Sequence, residues 1–209
     1  METHVVSPQG REVIIGENYP TVLIGERINP FGKGTIREGM MSNNMEPIRE
    51  EARRQVKAGA DILVVSAGAF GIDETVVLPQ VTEAVMKAID VPGCLESRNL
   101  IALEKTLNIG CGRPIISSAT GDEALLNGLL PLVRRYDTAL IVLPSDESGI
   151  PNNAERRLGI ITSVFMKAQQ EGIRAEDLLA DCIAESIAVN GNAALTTLET
   201  MGMVSVPLD

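Results

Sequence analysis

The chain alternates between short aliphatic segments and amphipathic segments, and this alternation is what most narrows the folds open to it. In residues 46–59, Ile48, Ala52 and Val56 recur at the spacing of one helix face, and Gly59 follows as a stop signal. Six aliphatic runs are predicted strands: residues 21–28, 61–67, 91–96, 114–118, 138–143 and 178–184. Strands that alternate with helices in one order predict a parallel sheet covered by helices.

The first residues depart from this alternation. Residues 4–18 contain two short apolar runs on either side of Ser7-Pro8-Gln9-Gly10, a composition that favours a tight turn. We therefore predict a β-hairpin extension over residues 1–20, followed by a β/α barrel domain over residues 21–209.

Polar residues recur at the carboxyl ends of the predicted strands, which favours a barrel over an open sheet. An open nucleotide-binding sheet would carry a GxGxxG or GxxxxGK[ST] turn, and Gly25, Gly32 and Gly34 have neither spacing. In a (β/α)8 barrel, functional groups come from the carboxyl ends of many strands. We therefore predict an α/β fold. The chain has 209 residues, fewer than the roughly 250 of a full barrel, so we expect the barrel to be incomplete. Its type is an incomplete TIM (β/α)8 barrel of six to seven units with an N-terminal β-hairpin.

Composition excludes several classes of function. A net charge of −10 without a basic cluster indicates no nucleic-acid partner. The single histidine, His4, is too little for a His-based triad or a structural zinc site, and we predict no metal. Cys94, Cys111 and Cys182 lack CxxC spacing and are predicted to be free thiols of a cytoplasmic protein. No apolar run approaches about 18 residues, so no membrane span is predicted.

Seven segments lie in order between residues 24 and 181, within a resemblance to a known family that runs from about residue 4 to about residue 200. They read IGERINP, AGADILVVSAG, VPGCLESRN, RPIISSATGDE, LPLVRRYDTALIV, SDESGIP and GIRAEDLLAD. The series resembles the pterin-binding methyltransferases of one-carbon metabolism, which include the folate-binding module of cobalamin-dependent methionine synthase. The resemblance implies a TIM barrel, commonly homodimeric. It also implies methyl transfer between methyltetrahydrofolate, the substrate, and a corrinoid (cobalamin) carried by a partner protein.

The resemblance also implies a set of pterin-binding residues. Asp181 matches the family's strand-six aspartate, Glu96 replaces a strand-three aspartate, and Ser117 replaces a strand-four asparagine. Ser66 stands in a segment where the family has Asp-x-Asn-x-Gly. The full set is Asp181, Glu96, Ser117, Asn29, Ser66 and Asp146. The family's catalytic asparagine lies in a Ser-Asn-Val-Ser-like segment that has no match here, so the catalytic residue stays unknown.

Several alternatives stay open at this stage. The chain is either a methyltransferase or a non-catalytic relative that acts as a scaffold or partner-binding subunit. Glu96, Asp146 and Asp181 could in principle hold magnesium, because hard cations accept carboxylate oxygens. We predict that Glu26 and Arg27 form a rim salt bridge. We also predict that an exposed sheet edge is covered by the hairpin, by residues 203–209 or by a second subunit.

Overall fold

The computed structural model describes residues 1–31, 34–188 and 190–205. Its strands are β1 (Glu2–Val6), β2 (Glu12–Gly16), β3 (Ile24–Ile28), β4 (Ile62–Ser66), β5 (Gly93–Glu96), β6 (Ile115–Ala119), β7 (Ala139–Val142) and β8 (Leu178–Ala180). Its helices are α1 (Gly34–Ser42), α2 (Glu46–Lys57), α3 (Glu74–Ala88), α4 (Leu100–Leu107), α5 (Glu123–Tyr136), α6 (Ala154–Gln170) and α7 (Ala193–Val204). The chain divides into two compact units, Met1–Ser117 with Arg135–Ala139, and Ser118–Arg134 with Leu140–Asp209.

The parallel strands follow one another in chain order. In the first unit the order is β3-β4-β5-β6, and in the second unit β7 pairs in parallel with β8. Strand β4 is buried along its whole length, as expected for a strand with helices on one side and a packed interior on the other. All six predicted parallel strands are present in the described residues. The incomplete β/α barrel with an N-terminal hairpin is therefore confirmed, and the boundary predicted at residue 20 stays a prediction.

Several helices that follow strands begin with a side-chain cap. The side chain of Asp73 accepts the Thr75 N–H before α3, and that of Asn99 accepts the Ile101 and Ala102 N–H groups before α4. Asn153 does the same for α6 through the Arg156 N–H. Each cap satisfies amide groups that a helix start leaves unpaired. The strand-to-helix turns at the carboxyl ends are therefore fixed by local hydrogen bonds.

Strand β8 is shorter than the sequence predicted. It pairs with β7 from Leu178 to Ala180, whereas the predicted strand ran to residue 184. The Asp181 carboxylate accepts the Ile183 N–H at 2.8 Å, and Ile183 has a φ of 52°. This turn is incompatible with extended backbone, so the prediction for residues 181–184 was wrong.

The N-terminal hairpin lies at the amino ends of β5 and β6. Strands β1 and β2 pair antiparallel, and the Val6 N–H and C=O bond to Arg113 in the loop before β6. The Ser7 hydroxyl donates to Asp90, which precedes β5. The described hydrogen bonds of the hairpin thus run to loops and, through Gln9 and the Met86 carbonyl, to α3, and not to an edge strand. The other segment predicted to cover the sheet edge was residues 203–209. Of these, residues 206–209 lie outside the described residues.

No helix in the described residues is both long enough and apolar enough to cross a membrane.

We expect Gly112→Ala to detach the hairpin from the loop before β6. Gly112 has a φ of 77°, and an added Cβ would lie 2.2 Å from the Val6 carbonyl oxygen. Gly110 is the matched control, because its φ is 79° and nothing lies within 4 Å of a Cβ there. Gly110→Ala should lower the free energy of unfolding by about 1–2 kcal/mol. Gly112→Ala should lower it by about 1–3 kcal/mol more because of the overlap. Urea denaturation measures both, and equal values would contradict the docking of the hairpin.

Candidate functional site

Four of the six predicted site residues lie side by side at the carboxyl edge of the first unit's sheet. Ser66 is the register partner of Glu96, and Glu96 is the register partner of Ser117. Asn29 directly follows Ile28, which pairs with Val65, so Asn29 stands beside Ser66. We call Asn29, Ser66, Glu96 and Ser117 the strand-end row. Parallel pairing places such residues at one edge, where a ligand can contact several of them together.

Glu96 is the charged residue at the centre of the strand-end row. Its side chain is reachable from solvent, yet the pKa of its carboxyl is raised, first by partial burial and then by the negative charges of Glu26 and Glu74. The Ser66 hydroxyl hydrogen-bonds this carboxylate and acts in the opposite direction. Glu96 therefore holds its negative charge at an energetic cost. A ligand group that donates N–H bonds would relieve this cost.

Glu26 and Arg27 have different environments, so the predicted rim salt bridge describes only one of them. Arg27 Nε lies 3.3 Å from Glu51 Oε1, and the Arg27 N–H bonds to Gln55, both on α2. Glu26 instead lies near enough to Glu96 to raise its pKa. The pairing of β3 with β4 shifts register between Gly25 and Ile28, the stretch that contains Glu26 and Arg27. Alternation along a strand separates neighbouring side chains, and this signal could have distinguished the two roles from the sequence.

Asn29 uses its side chain to shape the turn after β3. Its Nδ2 donates to the Glu26 carbonyl at 2.6 Å, and its Oδ1 accepts the Phe31 N–H at 3.0 Å. Both ends of the amide are thus engaged by the local backbone, an arrangement typical of asparagine in turns. Asn29 borders the strand-end row while stabilising the loop that follows it.

Asp146, in the second unit, lies in a small open cleft. Its carboxylate accepts the Ser148 N–H at 2.8 Å and Arg156 Nη2 at 3.0 Å. These two contacts, in that order, hold the pKa of Asp146 below its usual value. The cleft has a volume of about 290 Å³. Its lining residues are Gly121, Asp146, Arg156, Gly159, Ile160 and Ser163.

Asp181 directly follows β8 and is exposed. Its N–H continues the sheet by donating to the Val142 carbonyl at 3.0 Å, while its Oδ1 accepts the Ile183 N–H. The left-handed φ of Ile183 is unusual for a β-branched residue and costs about 1–3 kcal/mol. The orientation of the Asp181 carboxylate is therefore set by a strained turn.

Arg157 stabilises this turn, and sequence reasoning did not single it out. The side chain is 0% exposed and donates to the carbonyls of Pro151, Cys182 and Ile183 at 2.8–3.0 Å. Its remaining contact is an ion pair with Glu185 at 2.5 Å. A buried guanidinium needs such a full set of acceptors. Neighbouring Arg156 is exposed, whereas Arg157 lies on the helix face of Ile161 and Val164, a spacing by which the sequence could have separated the two.

Comparison with known proteins identifies similar sequences and similar folds. No protein-family model matches the chain. The methylcorrinoid:tetrahydrofolate methyltransferase of Eubacterium limosum is 25% identical over 180 residues, which are 83% of this chain and 65% of that protein. The methionine synthase of Mycobacterium leprae (strain TN) is 24% identical over 176 residues, which are 81% of this chain. The chain is therefore similar to pterin-binding methyltransferases, at 24–25% identity.

The chain is shorter than the relatives of this family that it matches. It spans 65% of the Eubacterium limosum protein and 15% of the methionine synthase. Among solved structures, the Xanthomonas albilineans dihydropteroate synthase with 4-aminobenzoic acid has a TM-score of 0.70 at 17% identity, and the match covers 98% of this chain and 75% of that one. A Yersinia pestis dihydropteroate synthase has a TM-score of 0.68 at 14% identity, with 98% and 75% covered. At these identities the likeness shows the barrel fold alone.

Two other kinds of chemistry, metal binding and thiol nucleophilicity, find no support in the described residues. No group of three His, Cys, Asp or Glu residues could hold a metal ion within residues 1–31, 34–188 and 190–205, so the magnesium alternative has no structural basis there. Burial raises the pKa of the Cys111 thiol to about 11 and raises that of Cys94 as well. Thiols with raised pKa values are poor nucleophiles.

We expect Arg157→Met to destabilise the protein strongly. Methionine roughly keeps the side-chain volume but removes the guanidinium that donates to Glu185 and to the carbonyls of Pro151 and Cys182. The expected loss is about 3–5 kcal/mol in the free energy of unfolding. Arg156→Ala is the control on the same helix, and its exposed ion pair should be worth about 0–1 kcal/mol. Similar denaturation midpoints for the two variants would contradict the role given to Arg157.

We expect Glu96→Gln to stabilise the protein at neutral pH. Because the pKa of Glu96 is raised above 4.5 in the folded state, folding favours the protonated form, and stability falls as pH rises through that folded pKa. The amide removes the charge and can still accept the Ser66 hydroxyl. The gain should therefore be present at about pH 7 and shrink toward about pH 4. The control is Glu50→Gln, an exposed glutamate on α2. An equal gain from both variants would mean that net charge alone is responsible.

Proposed function

We propose that the chain is a pterin-binding methyltransferase that moves a methyl group between methyltetrahydrofolate and a corrinoid carried by a partner protein. The observation that carries the proposal is the strand-end row, in which Ser66, Glu96 and Ser117 are register neighbours at the carboxyl edge of a barrel sheet. Similarity to a methylcorrinoid:tetrahydrofolate methyltransferase and to a methionine synthase supports the same reaction class.

The chemistry of the row suits the edge of a pterin ring. A pterin presents neighbouring N–H donors next to a carbonyl, and an ionised carboxylate accepts two such donors through its two oxygens. Glu96 supplies that carboxylate. Ser66 and Ser117 flank it with hydroxyl groups that can donate as well as accept. The raised pKa of Glu96 supports this assignment, because perturbed titratable groups cluster at binding and catalytic sites.

The remaining members of the set have proposed roles within their own units. Asn29 fixes the turn beside Ser66 and so shapes the edge that the ring would meet. In the second unit, Asp181 presents a carboxylate oriented by the Ile183 N–H, with lone pairs left for a ligand N–H. Asp146 is proposed as a pterin contact through the same chemistry, in competition with Arg156.

The protein's contribution to the reaction is binding and orientation. The bound corrinoid would supply the cobalt centre that accepts or gives the methyl group. Departure of the methyl group from N5 of the pterin requires a proton or a strong hydrogen bond at N5. Holding the ring by Glu96 and its hydroxyl neighbours fixes the direction in which N5 and its methyl group face. No residue is assigned to N5 itself.

A second candidate function is a non-catalytic relative that keeps the scaffold and a partner surface. The contacts of Asp146 favour it, because Arg156 and Ser148 already engage the carboxylate that a ligand would need. Serine at positions 66 and 117 also offers fewer hydrogen bonds than an asparagine would.

The proposal includes a homodimer located in the cytoplasm, without a nucleic-acid or membrane partner. Light scattering coupled to size-exclusion chromatography tests the dimer, and a mass equal to one chain across the concentration range would rule it out.

Isothermal titration with methyltetrahydrofolate tests pterin binding. We expect micromolar affinity that Glu96→Ala and Asp181→Ala each weaken by about 10- to 100-fold, the range for a hydrogen bond to a charged group. Glu50→Ala serves as the control and should bind like the unmodified protein. A folded protein that gives no heat with the ligand would contradict the proposed site.

A methyl-transfer assay with free cobalamin, followed by its absorbance, separates the two candidate functions. Transfer that Glu96→Ala slows supports the enzyme. Binding without transfer, with either cobalamin or a corrinoid protein added, supports the non-catalytic relative.

A further inference from the structure

Glu74 connects the two turns that carry Ser66 and Glu96. It is the first residue of α3, and its Oε2 accepts the Ser97 hydroxyl at 2.5 Å. Its Oε1 rests against Gly68, where an added Cβ would lie only 2.2 Å from that oxygen. Gly68 follows β4 and Ser97 follows β5. One carboxylate therefore contacts the turns of two neighbouring strands, and the absence of a side chain at position 68 makes this possible.

The Ser97 contact reaches the strand-end row through the backbone. Ser97 is buried and directly follows Glu96. Its N–H donates to the Ser117 carbonyl at 3.3 Å, and its hydroxyl oxygen accepts the Asn99 N–H at 3.0 Å. Glu74 thus completes a short chain of hydrogen bonds that fixes the backbone at Glu96 and Ser117. Chains of this kind hold a binding group in place before the ligand arrives.

Glu74 also acts on Glu96 through its charge. Among the described residues, the titratable groups that face Glu96 are Glu26 on β3 and Glu74 on α3, with Cys94 two residues earlier on β5. Both glutamates raise the pKa of Glu96. The amino terminus of α3 favours a negative charge at position 74, because the helix dipole is positive there.

We propose that Glu74 is a positioning residue for Glu96, holding the turn after Glu96 through Ser97. This inference rests on the proposed pterin function, since the ligand is taken to be methyltetrahydrofolate. Two substitutions separate the two effects of Glu74. Glu74→Gln keeps an oxygen that can accept the Ser97 hydroxyl but removes the charge. Glu74→Asp keeps the charge but is one methylene too short to contact both turns.

The test measures affinity for methyltetrahydrofolate by isothermal titration as a function of pH. Binding requires ionised Glu96, so affinity falls on the acid side. For Glu74→Gln we expect that fall to begin at lower pH, with near-normal affinity at neutral pH. For Glu74→Asp we expect affinity to be about 3- to 10-fold weaker at neutral pH, with little change in the pH at which affinity decreases. Ionisation of the ligand itself is common to all variants and cancels in the comparison. Glu83→Gln, an exposed glutamate on the same helix paired with Lys87, is the control.

A ligand-free readout keeps this inference separable from the proposed function. The carboxyl ¹³C signal of Glu96, followed by NMR across pH, should titrate at lower pH in Glu74→Gln than in the unmodified protein and in Glu83→Gln. Unchanged titration of Glu96 in Glu74→Gln would overturn the charge coupling. Normal affinity in Glu74→Asp would overturn the positioning role. If Glu96 titration shifts while the unmodified protein binds no methyltetrahydrofolate, the coupling stands and the proposed ligand is wrong.

Discussion

The parallel register of the first unit's sheet is the constraint on which the candidate site depends. From Leu63 to Ser66, β4 pairs residue for residue with Gly93–Glu96, and Cys94–Glu96 pairs in the same way with Ile115–Ser117. A slip of one residue would turn Glu96 to the opposite face and would expose Leu95, which is completely buried. Burying a leucine contributes about 1.5–3 kcal/mol, so the aliphatic residues behind the site maintain its geometry.

Electrostatics at the same edge act against stability. Glu26 and Glu74 both oppose the charge on Glu96, in a chain that already carries a net charge of −10. The Ser66 hydroxyl bond to Glu96 and the Ser97 bond to Glu74 offset part of this repulsion. The packed core can support such a local cost, because Leu63, Leu95 and Ile115 on the same strands are fully buried. A group of acids kept at a cost is better explained by ligand binding than by folding.

The sequence determined the architecture far better than it determined individual side-chain contacts. Aliphatic runs located all six parallel strands, and strand-end position brought Ser66, Glu96 and Ser117 together, because parallel pairing leaves few other arrangements. The end of β8 was missed, since the turn at Ile183 depends on hydrogen bonds from distant Arg157. The roles of Glu26 and Glu74 were missed for a related reason. Their neighbours, Glu96 and Ser97, are far away in sequence and adjacent only after folding.

The two units orient their carboxylates by different means with the same consequence. In the first unit, register and the Glu74 bridge fix the backbone at Glu96. In the second unit, Arg157 and Thr197 both donate to the Ile183 carbonyl, which holds the left-handed turn that orients Asp181. The strain of that turn, about 1–3 kcal/mol, is comparable to what several buried hydrogen bonds return. A carboxylate that is already held loses little conformational freedom when a ligand binds, so more of each new hydrogen bond remains as affinity.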